Sequence, residues 1–591
     1  MDNAGRVAGR LRAHNTGSCV ASDRSSSTSP DTDPAPFVDP RGGYRFRSHE
    51  MPVLPGSPAN PDHPASRKAA YLAIGLLLGL VGGGQNGFLL ANTPALQATL
   101  DLTPVETGWL TVAFYSTYAC MSMLLFRVRQ ERGIQPFVRW AMTGLVLANL
   151  VQLLEPGQGV ELAARAIAGI VASGLSALSL YYLMQGLPAT KRIAGIVISV
   201  GLSQVAFPLA RALSPALLVD GQMDRIFLFQ VGLSLLALGA VILLRLPPGI
   251  RQKTFEPLDL PSFGLFLIGV TALCAFLVQG RIQWWDTPWL GFALVVAILG
   301  LGGCILIELN RASPMLDLKW LTGRNLVALM LVAASVRVLV AEQGFGATGL
   351  LSALGYGPDQ QVGYLWVLTG ATIAGVVLSV IRLDPRDLVR PVMVAILIIA
   401  IAAFADTRAG TMTRPQDLYF TQGAIAFAAV FAIGPVMMEG MLRALAAGTN
   451  RVVSFIAIFS LSQSLGGLAG TATLSAFYTI RLKTHLIDAG QTLTLANKPL
   501  ATALANAARR VAPVQLDPVL QQQSASASVS AEAGRQAAVL AFSDVFFAVG
   551  VLAGLAFVAV AVPWALNRMR GRNPLANELA FLQSRLARTS E

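Results

Sequence analysis

The chain has 591 residues, 54% of them hydrophobic and only 13% charged, with a mean hydropathy of +0.58 and a net charge of +12. Soluble domains carry about 25% charged residues, so this chain lacks the material for a water-facing surface, and a soluble enzyme or a disordered chain is excluded. Its four cysteines, Cys19, Cys120, Cys274 and Cys304, form no spaced pair, which removes a disulfide scaffold and leaves the composition of a polytopic membrane protein.

Residues 1–67 are rich in Ser, Pro, Asp and Arg without an apolar stretch, a composition expected to stay disordered as a tail. This segment has no apolar signal-peptide core, so the first span is expected to insert uncleaved. About 20 apolar residues cross a bilayer as a helix. Fourteen runs qualify: 70–92, 107–126, 137–154, 160–185, 193–214, 226–245, 261–280, 288–308, 326–350, 361–381, 391–405, 418–441, 452–480 and 540–566. The expected fold is therefore an all-α bundle. An N-terminal six-helix half covers 68–250, two linking helices 251–320, a C-terminal six-helix half 321–566 and a second tail 567–591. Small residues at four-residue spacing, Gly79-Gly83-Gly87 and Gly466-Gly470, point to close helix packing.

Assigned alternately to the two sides, the connections and tails divide the lysines and arginines 31 to 10, with Arg165, Arg211 and Arg337 inside spans. The richer side holds both termini, and the positive-inside rule places it in the cytoplasm. The basic charge is thus a topology signal. The bilayer is the expected partner and nucleic acid is not. The one long connection on the opposite side, 481–539, has Ala and Leu at helical spacing over Leu500–Ala508, then the polar tract Gln521 to Ser530. It reads as a loop, with short helices packed on the outer face, disorder, or docking of a partner all open.

The histidines His14, His49, His63 and His485 all lie outside the spans and in no metal spacing. There is no G-x-S-x-G elbow and no phosphate-binding loop. No catalytic residue, metal or cofactor is expected. The informative residues are polar groups within apolar spans, where an ionisable side chain costs roughly 2.5–3.5 kcal/mol or more and marks a functional site by default. These are Arg165 in span 4, Arg211 late in span 5, Arg337 and Glu342 in span 9 and Glu439 late in span 12. Beside them stand the cavity candidates Gln85, Asn86 and Gln204. Glu439 precedes Arg443 by one helical turn, which an interfacial ion pair explains. Arg337 and Glu342 are five apart and need not share a helix face, so each needs partners elsewhere. Glu342 reads either as a proton carrier or as a structural polar bridge.

Several landmarks occur in a telling order. Pro94 precedes Trp109 at the start of span 2, Arg165-Ala-Ile-Ala-Gly169 forms an R-x-x-x-G in span 4, and Lys191-Arg192 precedes span 5. Gln536 with Ala541-Phe-Ser-Asp544-Val-Phe546 stands near the end. With fourteen spans and basic loops, the pattern over about 70–566 resembles the major facilitator superfamily, and within it the fourteen-span drug:proton antiporters of the EmrB type. Three motifs depart from that family. Gln85 occupies the place of its span-1 proton-coupling aspartate. The loop after span 2 reads Phe126-Arg-Val-Arg-Gln130-Glu-Arg-Gly133, and the antiporter motif reads Ser203-Gln204-Val-Ala-Phe-Pro208-Leu-Ala-Arg211. The chain therefore reads as a divergent member.

The resemblance implies a major facilitator fold and a secondary transporter of the inner membrane that exports amphiphilic or aromatic small molecules. Inward proton flow would be coupled through Glu342, Arg337 and Arg165, in a charge network that includes Glu439. It also implies a periplasmic adaptor and an outer-membrane channel as partners. The arginine-rich interior favours an anionic substrate held by Gln85, Asn86, Gln204 and Arg211. An uptake permease or uncoupled facilitator, and a non-transporting membrane sensor or scaffold, are the alternatives.

Overall fold

A computed structural model describes residues 57–154, 157–188, 192, 194–218, 221–250, 255–492 and 498–571, with isolated positions in both tails. Most of the tail expected for residues 1–67 thus lies outside the described residues, as does Lys191. Eighteen α-helices appear among those described. The first half contains α1 (Ala65–Ala91), the short α2 (Thr93–Leu100), α3 (Pro104–Arg132), α4 (Ile134–Leu154), α5 (Gln158–Gly186), α6 (Ala194–Leu217) and α7 (Asp224–Leu243). Two linking helices follow, α8 (Asp259–Gln283) and α9 (Pro288–Leu309), and a four-residue α10 (Leu318–Leu321). The second half contains α11 (Arg324–Glu342), α12 (Thr348–Ala353), α13 (Val362–Ile381), α14 (Val389–Asp406), α15 (Tyr419–Ala447), α16 (Thr449–Thr492), α17 (Lys498–Val511) and α18 (Pro518–Met569). Fourteen helical segments are long and apolar enough to cross a membrane, with α11 and α12 making one of them. The protein is a multi-pass all-α membrane protein.

Local chemistry sets the helix ends. Thr103 and Glu106 form a reciprocal capping box at the start of α3, with Pro104 at the first helical position. The same helix stops at Gly133, whose φ of +90° suits glycine alone. An even number of crossings puts both tails at one end of the bundle, here the tail end, and the opposite end is the far end.

The six-helix halves pack internally and then against each other. In the first, α1 lies on α5 and α6, and α3 on α5. In the second, α11 lies on α16, α13 on α15, and α14 on α15 and α18. The seam between halves is made by α6 against α13 and α15 and by α3 against α16, while α8 joins α9 to α3 and α16. The glycine stripe does the packing expected of it. A Cβ on Gly83 would sit 2.6 Å from that of Ala206, and one on Gly87 2.9 Å from that of Ala210. The perimeter is apolar, with Leu243 and Phe420 each 87% exposed, as a lipid-facing surface requires.

Two segments differ from the sequence reading. The stretch 57–64, expected within a disordered tail, is docked on the first half. The Ala59 N–H donates to the Pro248 carbonyl at 3.0 Å, and His63 Nε2 lies 2.9 Å from Gln185 Oε1. The connection 481–539 is largely helix: α16 runs on to Thr492, and α18 begins 22 residues before the span read at 540. Asp517 caps α18 by accepting from the Val519 N–H at 2.8 Å, and Pro518 occupies its first turn. The polar tract survives in helix because Ser526 and Ser528 return their hydroxyls to carbonyls three residues back. The segment α17 packs on α18, with Ala507 and Ala525 buried.

The altered motif after span 2 is an anchor for the linking helices. Arg127 pairs with Asp259 at 3.0 Å, and Arg311 bridges Asp259 (2.7 Å), Glu256 (2.9 Å) and Glu308 (3.1 Å). Glu131 accepts the Phe255 N–H at 3.2 Å, and Arg129 stacks on Phe126 and Tyr181.

Candidate functional site

Arg165 is 1% exposed on α5, a position that demands a counter-charge. Glu161, one turn earlier, supplies it at 3.0 Å, and in turn accepts a short hydrogen bond from Gln152 of α4. The guanidinium also donates to the backbone carbonyl of Gln85 at 2.9 Å. Glu161 thus neutralises Arg165 within the first half, and the side-chain oxygen of Gln85 is buried without a hydrogen-bond partner among the described residues. At Gly169 of the R-x-x-x-G, an added Cβ would lie 2.5 Å from the Phe114 carbonyl oxygen, so the motif holds α5 hard against α3.

Arg337 crosses the seam between halves. From α11 it donates to Gln204 Oε1 of α6 at 3.1 Å and to the Gln463 carbonyl of α16 at 3.3 Å. Gly466 and Gly467 leave it room, with notional Cβ atoms 3.3 Å from its Cβ and 3.2 Å from its Nε. Among the described residues it has no acidic partner. Tyr115 and Tyr118 of α3 are in electrostatic reach of it, and Asn86 of α1 donates to the Tyr115 hydroxyl at 3.1 Å. The amide oxygen of Asn86 is buried and unpaired. A cation, two phenols and two amides thus meet between the halves. Pro208, one turn beyond Gln204, deprives the Gln204 carbonyl of its helical donor and adds a further acceptor there.

Glu342 lies on neither arginine. It is fully buried at the end of α11, where its Oε1 accepts from Gln422 Nε2 at 2.8 Å. The same nitrogen donates to Asp406 Oδ2 of α14, also at 2.8 Å. Two carboxylates on separate helices therefore share one amide of α15, and no cation pairs with either among the described residues. Glu342 Oε2 has no hydrogen-bond partner there. A π-helical turn, Gln343–Ala347, follows at once, a feature often found at functional sites. Gln343 donates from its side chain to the Gln422 carbonyl at 3.0 Å. Its own carbonyl receives the Thr348 hydroxyl at 3.2 Å, and that hydroxyl accepts from Arg211 of α6 at 3.1 Å. Arg211 thus reaches across the seam to Thr348, just past the turn that follows Glu342.

The expected network of Glu342, Arg337, Arg165 and Glu439 is therefore not one cluster. Arg165 is satisfied within the first half. Glu439 sits toward the tail end, pairing with Arg443 at 2.7 Å, which also meets Glu578 at 3.4 Å. What the structure brings together is Glu342 with Asp406 and Gln422, with Arg211 bonded to Thr348 beyond the π turn, and separately Arg337 with Gln204. Asp406, Gln422 and Glu161 were missed from sequence. Near the start of the last span, Asp544 is held at 2.7 Å by both Arg481 and His485 of the α16 extension.

No family model matches the chain. The puromycin resistance protein of Streptomyces alboniger is 26% identical over 67% of this chain and 79% of that protein. The methylenomycin A resistance protein of Streptomyces coelicolor is 23% identical over 64% of this chain and 79% of its own length. The probable multidrug resistance protein EmrY of Escherichia coli is 23% identical, over 39% and 45%. Fourteen spans in two six-helix halves around two linking helices, with relatives of this kind at low identity, make the chain similar to drug-resistance transporters of the major facilitator type.

Proposed function

We propose that this secondary transporter exports anionic amphiphilic or aromatic compounds from the cytoplasm in exchange for protons, from the inner (plasma) membrane with both termini cytoplasmic. The observation that carries the coupling is the shared amide. Two carboxylates joined through the two N–H donors of one amide nitrogen in an apolar setting cannot both hold charge without a cation, so the Glu342–Asp406 pair is built to carry a proton. The substrate class rests on Arg337 and Arg211, which face the seam with neutral partners only. An anionic group entering between the halves replaces Gln204 on Arg337 with a stronger, charge-assisted partner. Because Arg337 and Gln204 belong to opposite halves, that exchange loosens a cross-seam bond as substrate binds, which suits rocking of one half against the other. The orientation rests on the 31-to-10 division of basic residues. The helical projection of α16, α17 and α18 would then face an adaptor and outer-membrane channel.

Inside-out vesicles containing the protein test this directly. Uptake of a naphthalene sulfonate is expected to exceed that of a cationic dye, to collapse with a protonophore, and to lose its protonophore-sensitive part in Glu342→Gln. Equal downhill movement with and without protonophore would refute coupling. Equal loss of both probes in Arg337→Met would refute the anionic class.

A further inference from the structure

A cleft of about 490 Å³ opens at the tail end of the second half, between α11, α14, α15 and α18 and well away from Glu342 and Arg337. Its volume falls in the range of small-molecule sites, roughly 300–1,000 Å³. The part toward the middle of the bundle is apolar, walled by Leu329, Val332, Val392, Val436 and Val560. The part toward the tails is aromatic and cationic. Trp564 lies beneath Arg390 (5.4 Å) and Arg568 (5.6 Å), and Arg386 stands at the rim. Arg390 is matched by Asp387 at 2.7 Å and Arg443 by Glu439, whereas Arg386 and Arg568 pair with no acid among the described residues. An interfacial tryptophan, two unmatched guanidiniums and an apolar trough running inward reproduce, in that order, the profile of a phospholipid in its leaflet.

We propose that this cleft is a binding site for an anionic phospholipid, with the phosphate between Arg386 and Arg568 and one acyl chain along Val392 and Val560. Charge complementarity selects the headgroup, and the inward trough selects a lipid over a water-soluble anion. Occupancy ties α18 to α11 and α14 at the tail end.

The test uses the full chain, purified in detergent and stripped of lipid. Phosphatidylglycerol, phosphatidylcholine or inorganic phosphate is added, and bound lipid is counted by native mass spectrometry beside the thermal midpoint. Phosphatidylglycerol is expected to be retained and to raise the midpoint. Each arginine facing the phosphate is worth about fivefold in affinity, so Arg386→Gln with Arg568→Gln should weaken retention about twenty-five-fold. Val560→Trp, which fills the trough, should abolish it while the protein still elutes as a single folded species. If that variant does not fold, the arginine pair alone decides. Equal retention of phosphatidylcholine, an equal midpoint shift from inorganic phosphate, unchanged retention in the arginine variant, or displacement of the lipid by the transported naphthalene sulfonate would each overturn the proposal.

Discussion

The Arg165–Glu161 pair offers the sharpest test of how charge is managed inside this bundle. At 3.0 Å and an effective dielectric near 20, the attraction is about 5 kcal/mol. Glu161→Gln keeps the shape and removes the charge, leaving a guanidinium that is 1% exposed with only the Gln85 carbonyl and neutral amides around it. Breaking a buried pair from one side costs about 3–5 kcal/mol, because the surviving charge is stranded. Removing both charges, as Glu161→Gln with Arg165→Gln, leaves no stranded ion and should cost much less, about 1–2 kcal/mol. The double-mutant cycle, read by equilibrium unfolding from mixed micelles into dodecyl sulfate, should therefore show a coupling of at least about 2 kcal/mol. A double variant no more stable than the Glu161→Gln single would refute the argument that Glu161 neutralises Arg165.

Other expectations follow from the same geometry. Asp406→Asn should reduce protonophore-sensitive transport as Glu342→Gln does, while substrate exchange at equal proton concentration on both sides persists in both; loss of exchange as well would mean the pair is structural. Gln204→Leu takes from Arg337 its cross-seam acceptor, and a hydrogen bond to a charged group is worth about 1.5–3 kcal/mol. We expect the thermal midpoint to fall, with the apparent affinity for an anionic substrate maintained or improved. Gly169→Leu should yield almost no folded protein by size-exclusion profile, since its Cβ would lie 2.1 Å from Thr117 Oγ1 and 2.5 Å from a backbone oxygen. At the tail end, the Ser313 hydroxyl and then Arg311 hold the Glu256 carboxyl below its usual range. A depressed acid stabilises the fold above its unfolded pKa, so that contribution should fade as pH drops below about 4.3. Unfolding of Glu256→Gln compared at pH 6 and pH 3.5 should show less acid sensitivity than the parent.

Apolar run length made the fourteen spans legible, because the bilayer sets one minimum length for every helix. The same signal fails outside lipid, which is why α18 was truncated at 540. The Gln, Ser and Ala of its first turns form helix by capping and alanine packing, without any hydropathy mark. The acid site was half legible for a related reason. Asp406 falls one residue past the run read as 391–405 and so looked interfacial, although it is only 3% exposed. Gln422 carries no charge, and nothing in its local sequence marks an amide that will sit between two acids. Glu161 was readable, one turn from Arg165 within the same run, but its place at the edge of the span disguised it as a surface residue. Long-range neighbours decide these roles, and hydropathy carries no information about them.

The π turn after Glu342 also changes how the two halves should be compared. Gln85 and Glu342 each stand about twenty residues into the first helix of their half, an amide in α1 and a carboxylate at similar depth in α11. One surplus residue in the turn at 343–347 rotates everything beyond it by about 100° relative to an uninterrupted helix. Any superposition of one half on the other that runs gap-free through this point will therefore assign Thr348 and its followers to the wrong faces. A one-residue offset after position 342 restores the correspondence, and it is the register in which equivalent positions of the two halves should be sought.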